Sequence, residues 1–122
     1  MQHSPGFLKL VNEARSRVTE ITIDQARERL TQNPQAVLLD VREDNEWHNG
    51  HAAQAAHLGK GILERDLEQM FPDPDTEIIM YCGGGYRSAL SADAAQKMGY
   101  GRVSSLIEGY KGILAANWPM SR

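Results

Sequence analysis

The chain has 122 residues, of which 41% are apolar and 24% charged, and its formal net charge is −3. That length supports one domain with its own core, and the balance is that of an ordinary soluble globular protein. It argues against nucleic acid as a partner, since no basic stripe is interleaved with aromatics, and against a membrane, since no apolar run reaches spanning length.

In chain order, Ser4-Pro5 reads as a helix start. Phe7, Leu8, Val11 and Ala14 follow at near-helical spacing and predict an amphipathic N-terminal helix. A short strand is expected at Val18–Ile21, and Thr22 with Gln25 forms a capping-box pattern that opens a helix through Leu30. "AVLLDV" (Ala36–Val41) is a short continuous apolar run of the kind buried in a parallel sheet. One or two helical turns over Glu43–His48 end at Gly50. A short strand at Ala55–Leu58 and a helix at Ile62–Met70 come next, and "FPDPD" breaks the chain. "EIIMYC" (Glu77–Cys82) is the second strongly apolar strand, and Ser88–Met98 the clearest helix. Val103–Leu106 predicts a last strand, before a short helix near Tyr110–Ala116 and the Trp118-Pro119 pair. Strands alternating with helices predict an α/β domain with a mostly parallel central sheet.

The stretch "YCGGGYRS" holds the only cysteine, which excludes an internal disulfide. A lone free thiol predicts a reducing compartment, the cytoplasm, and the opening residues lack the apolar core of a signal peptide. An isolated cysteine is more often an inert, buried small hydrophobe. Here it lies at a strand-to-loop junction, followed by three glycines, Tyr86, Arg87 and Ser88, and then a helix. In open α/β sheets ligands bind beyond the carboxyl ends of the strands. Glycines let consecutive backbone N–H groups curl around one point. The helix start and Arg87 add positive charge, a setting that favours thiolate over thiol. These features make Cys82 a candidate nucleophile.

"CGGGYRS" resembles the C-x-x-G-x-R-S active loop of rhodanese-like sulfurtransferases. Three further segments agree in order: "LLDVRE" (Leu38–Glu43), "NGHAAQAAHL" (Asn49–Leu58) and "LIEGYKGILAANWP" (Leu106–Pro119). The resemblance implies a rhodanese-like fold, a five-stranded, mostly parallel sheet with helices on both sides. It divides the chain into an N-terminal helical extension (1–17) and the domain proper (18–122). It also implies sulfur transfer through a Cys82 persulfide, from a donor such as thiosulfate to cyanide or a thiol. Gly83, Gly84, Gly85, Tyr86, Arg87 and Ser88 would form the substrate and persulfide loop, with no cofactor. Asp40, beside the cysteine strand in this fold, and Arg42 would support it. Arg87 suits two roles equally, a handle for an incoming anion or a brace against a scaffold carboxylate. Arg42 and Glu46, four residues apart, are placed to pair.

The sequence departs from the family pattern at Ala52, Gln54, Glu108, Ile113 and Asn117. Asn117 stands in for a glycine and tolerates left-handed backbone; Ile113 keeps an apolar packing role. Glu108 stands near the active loop in such proteins, where an acid could alter what binds. His48, His51 and His57 fit no standard zinc spacing and lack cysteine partners, so no metal is expected. Trp47 and Trp118 are read as packing residues. Two other readings remain open. A persulfide carrier or sensor that delivers sulfur to a protein partner needs the same Cys82 loop. A cysteine phosphatase or arsenate reductase would have five residues between cysteine and arginine, where this chain has four, Gly83 to Tyr86.

Overall fold

The computed structural model describes residues 2–122. Helix α1 (Pro5–Arg15) is followed by β1 (Thr19–Ile21), α2 (Ile23–Gln32), β2 (Val37–Asp40), α3 (Asp44–His48), β3 (His51–Ala52) and β4 (Ala56–His57). A 3-10 turn (Lys60–Ile62) then leads into α4 (Leu63–Met70), β5 (Ile78–Tyr81), α5 (Tyr86–Lys97), β6 (Val103–Leu106), α6 (Gly109–Ala115) and β7 (Met120–Ser121). Five strands form one sheet in the order β1-β6-β5-β2-β4, and every pairing in it is parallel. This is the architecture the alternating pattern predicts. Among the described residues no helix is long and apolar enough to cross a membrane.

The apolar runs are buried on both faces, and their residues alternate between two cores. Leu39, Ile78 and Met80 face one side with Leu63, Leu67, Ala92 and Ala95 from α4 and α5. Leu38, Ile79 and Tyr81 face the other with Ala26, Ile113 and Trp118, from α2, α6 and the segment after it. This two-residue alternation is what a strand dictates once helices cover both faces. β5 lies at the centre, pairing Met80 with Leu39 on one side and Ser105 on the other. Its carboxyl end therefore opens at the middle of the sheet edge where α/β proteins bind ligands.

Local signals in the sequence explain most boundaries. Thr22 and Gln25 make the reciprocal capping box, with Gln25 N–H donating to Thr22 Oγ1 at 3.2 Å and Thr22 N–H to Gln25 Oε1 at 2.8 Å. Asn117 takes the left-handed conformation (φ 58°) that its side chain tolerates. Helix α1 starts at Pro5 as expected, although the Ser4 side chain makes no capping bond. α5 begins two residues earlier than the apolar pattern indicates. Gly85, at φ 91°, reverses the chain so abruptly that Tyr86 and Arg87 already belong to the first helical turn. The antiparallel pair β3–β7, two residues per strand, carries no sequence signal because it is too short to show a period.

Helix α1 buries Val11 and Ala14 and packs against α5. Just beyond it, Arg17 grips Asp93 of α5 through two hydrogen bonds, of 2.9 and 2.8 Å. That pairing, with Lys97 nearby, holds the Asp93 carboxyl below the usual range. The N-terminal segment is thus fastened to the helix that carries the candidate loop at its other end.

Candidate active site

Cys82 follows β5 directly and is buried, with 1% of its surface exposed. Two backbone amides converge on its sulfur: Gly85 N–H donates to Sγ at 3.2 Å and Ser88 N–H at 3.3 Å. Ser88 Oγ lies 3.6 Å from Sγ and 2.7 Å from Ser105 Oγ on β6. N–H donors aimed at a sulfur from a glycine turn and a helix start stabilise negative charge on it.

The three glycines are not equivalent. A Cβ at Gly85 would lie 2.5 Å from the Ile107 carbonyl oxygen, in a left-handed conformation. At Gly83 it would meet the Arg87 guanidinium at 3.3 Å, and at Gly84 it would meet nothing within 4 Å. Only Gly85 is demanded by both backbone conformation and space. A fourth glycine, Gly109, braces the loop from outside. Its φ is 61°, and a Cβ there would lie 2.6 Å from the Cys82 carbonyl oxygen and 2.7 Å from that of Gly83. The turn it makes lets Tyr110 N–H donate to the Cys82 carbonyl at 2.7 Å and Lys111 N–H to the Gly83 carbonyl at 3.4 Å.

Arg87 is engaged by a scaffold carboxylate. Its guanidinium forms a fork with Glu46 of α3, at 2.6 and 3.1 Å. The expected Arg42–Glu46 pair is therefore not the one that forms. Arg42 turns inward instead, donating to Asp40 at 2.8 Å and to the Gly50 carbonyl at 2.7 Å, with its guanidinium 4.0 Å from the Tyr110 ring centroid. Asp40 also accepts the Arg42 backbone N–H at 2.9 Å. Asp40 and Arg42 tie the end of β2 to Gly50 and, through the Tyr110 ring, to α6, and neither lines the cleft above the cysteine. Beside them burial pushes the Tyr81 phenol well above its ordinary value, aided by hydrogen bonding with the Asp40 carboxylate.

Glu108 faces away from the loop. Its carboxylate accepts Ile23 N–H at 3.1 Å and so anchors the start of α2; it is not among the residues around the cleft. His51 and His57 stack on Trp47, with ring centroids 3.3 and 4.7 Å apart, and His51 Nδ1 lies 2.9 Å from the Trp47 carbonyl oxygen. Among the described residues no group of three or more His, Cys, Asp or Glu could hold a metal.

Above Cys82 opens a cleft of about 620 Å³, bordered by Gly83, Gly84, Tyr86, Arg87, Glu46, Lys111, and His3 and Phe7 of the N-terminal segment. No sequence pattern places Glu46, Lys111, His3 or Phe7 there, or Ser105 behind the loop against Ser88. Glu46 alone left a trace, since an acid opposite a loop arginine is the brace that Arg87 invites.

The Arg87 guanidinium holds the Glu46 carboxyl below the usual glutamate range. A depressed carboxyl stabilises the fold above its unfolded-state value, and that contribution disappears as the pH falls through the lower folded value. Glu46→Gln is therefore expected to lower the melting temperature near neutrality. The gap to the wild type should narrow in acid, below about pH 4, and close once Glu46 is protonated in the fold. Thermal melts across that range check it; a gap constant with pH would contradict the assignment.

Fold and site together define a parallel α/β domain that presents one cysteine at the carboxyl edge of its central strand, inside a turn of backbone amides. Such domains form a recognised family: the rhodanese-like domain model matches residues 22–116, and the chain belongs to that family. Helix α1 lies outside the matched segment. An uncharacterized Escherichia coli protein, YibN, is 30% identical over 88% of this chain and 75% of its own. A candidate sulfur carrier protein of Bacillus subtilis, YrkF, is 25% identical over 82% of this chain, which spans only 53% of that relative's length. Among solved structures, a Rhodopseudomonas palustris protein described as of unknown function and a possible tyrosine phosphatase superposes with a TM-score of 0.85, at 26% identity over 99% of this chain and 98% of its own. The polysulfide-sulfur transferase of Wolinella succinogenes shares the fold with a TM-score of 0.80, at 24% identity over 95% of this chain and 87% of that one.

Proposed function

We propose that the protein is a sulfurtransferase that carries a sulfane sulfur on Cys82, within residues 18–122, with 1–17 as an extension. The observation that carries this reading is the convergence of the Gly85 and Ser88 amides on the cysteine sulfur, at 3.2 and 3.3 Å. With thiosulfate, the Cys82 thiolate attacks the outer sulfur and a new S–S bond forms. The bond to the sulfonate sulfur breaks, and sulfite leaves with the electron pair. The backbone N–H groups of the loop from Gly83 to Ser88 would hold the negative charge of the resulting persulfide, preorganised before reaction. Cyanide or a thiol then attacks the terminal sulfur and restores the Cys82 thiolate. Arg87, held by Glu46, keeps the loop in shape, and Asp40 with Arg42 supports the neighbouring strand end. A single reduced thiol suits this protein to the cytoplasm.

Delivery of the same sulfur to a protein thiol is the second reading, favoured by the similarity to a candidate sulfur carrier. Phosphate-ester hydrolysis, suggested by the description of the Rhodopseudomonas protein, fits less well. Four residues separate Cys82 from Arg87, a turn that suits one sulfur better than three equatorial oxygens, and Arg87 is committed to Glu46.

The test is intact-mass spectrometry after incubation with thiosulfate. A gain of one sulfur atom, about 32 Da and removable by cyanide, is expected, alongside no appreciable hydrolysis of an aryl phosphate. An unchanged mass with thiosulfate and with organic donors, or phosphate release faster than thiocyanate formation, would overturn the reading.

A further inference from the structure

Thiosulfate is a small, strongly hydrated dianion, and it matches little of the space above Cys82. The cleft measures about 620 Å³, within the range that holds organic ligands with many more heavy atoms. Its outer wall is aromatic, and two of its three rings, His3 and Phe7, come from outside the family-matched residues 22–116. His3 lies 4.4 Å from Tyr86 and 5.3 Å from Phe7, and Phe7 is near-parallel to Tyr86 at 6.3 Å between ring centroids. Arg15 of α1 sits 4.6 Å from the Tyr86 ring centroid and steadies that side chain. Apolar rings gain nothing by stripping water from a dianion; they gain by covering the body of an organic molecule.

The charges narrow the choice further. Arg87 is neutralised by Glu46, both half-exposed at the cleft. Lys111 is the remaining cation there, exposed and without an ion-pair partner among the described residues. Cys82 itself is 1% exposed, so only a slender sulfur-bearing arm reaches it while the body of the donor stays in the outer cleft.

We infer that the sulfur arrives on a low-molecular-weight organic persulfide with an apolar face and an anionic group, and that Phe7 and His3 of the N-terminal segment, with Lys111, select it over thiosulfate. This rests on the sulfurtransferase reading. The Cys82 thiolate bonds to the terminal sulfur of R–S–SH. The R–S to sulfur bond breaks, and the electron pair departs on R–S⁻, which takes up a proton from solvent. The sulfane sulfur keeps its oxidation state, so no oxidant or reductant is required.

Thiosulfonates serve as stable probes, because attack on their outer sulfur releases a sulfinate in the same way. The experiment measures thiocyanate formation by the full chain from thiosulfate, benzenethiosulfonate and 4-carboxybenzenethiosulfonate, with cyanide as acceptor. Donor reactivities differ intrinsically, so the readout is the change in kcat/KM ratios on substitution. Phe7→Ala is expected to lower the benzenethiosulfonate-to-thiosulfate ratio about fivefold. Lys111→Ala, at an exposed position that does not endanger folding, is expected to lower the ratio of the carboxylated to the plain aryl donor about threefold. Ratios unchanged in both variants overturn the inference and leave sulfur transfer standing. A wild type that forms thiocyanate from none of the three donors overturns both.

Discussion

Cys82→Ser is expected to lose sulfur transfer to the uncatalysed background, a fall on the order of 10³–10⁴ or more, while the protein stays folded. The serine hydroxyl is close in shape to the thiol and presents an oxygen to the Gly85 and Ser88 amides that now reach Sγ at 3.2 and 3.3 Å. An alkoxide at neutral pH is too scarce to attack a sulfane sulfur, so chemistry is lost without loss of structure. Cys82→Ala separates the two effects. It removes the acceptor and leaves two inward-pointing N–H groups without a partner in a site where Cys82 is 1% exposed. Leaving buried donors unsatisfied costs about 1–3 kcal/mol each. The alanine variant should therefore melt below the serine variant, though both are inactive. Thiocyanate assays and thermal melts on the three proteins check this. Residual transfer by the serine variant above background would remove Cys82 from the chemistry, and equal melting points would remove the amide cradle.

The central strands were legible because each is a continuous apolar run with a break on either side. "VLLD" and "IIMY" could be little else in a chain of this length, and the residues from Val103 to Leu106 form the expected strand without adjustment. The cysteine loop was legible because its residues are contiguous: thiol, glycines and arginine are neighbours in sequence before they are neighbours in space. What could not be read was everything the fold brings in from a distance. Glu46 had two candidate arginines, one four residues back and one 41 residues ahead. The nearer partner was the natural expectation for a helix surface. It loses because Asp40, two residues before Arg42, captures that guanidinium in the interior. Ser105 reaches Ser88 only because β6 lies beside β5. Glu108 stood in a segment close to the loop, but its carboxylate turns to the start of α2. His3 and Phe7 border the cleft because α1 lies along α5, a packing no local pattern reveals.

The second large effect belongs to a residue that touches no substrate. Gly109→Ala is expected to lower sulfur transfer about 100-fold and to destabilise the fold. The left-handed conformation alone (φ 61°) costs a residue with a Cβ about 1–3 kcal/mol. The added methyl would lie 2.6 Å from the Cys82 carbonyl oxygen and 2.7 and 2.8 Å from the Gly83 carbonyl oxygen and carbon. Those atoms are backbone and cannot swing aside as a flexible side chain would. Relief requires the start of α6 and the cysteine loop to separate, and the bond from Tyr110 N–H to the Cys82 carbonyl, 2.7 Å long, is what resists. Whichever side yields, the peptide following Cys82 rotates and the amides that face its sulfur lose their aim. A displacement of about 1 Å at a reacting group is enough for a 100-fold loss. The expected fall in melting temperature is on the order of 5–15 °C. Gly84→Ala is the comparison, because a Cβ there meets nothing within 4 Å, and its stability should change by no more than about 0.5 kcal/mol. Melts of the two variants beside the wild type, with thiocyanate rates for Gly109→Ala, decide the matter. If Gly109→Ala melts with the wild type and transfers sulfur at its rate, α6 does not brace the loop, and the shape of the turn around Cys82 is set by Gly85 and Arg87 alone.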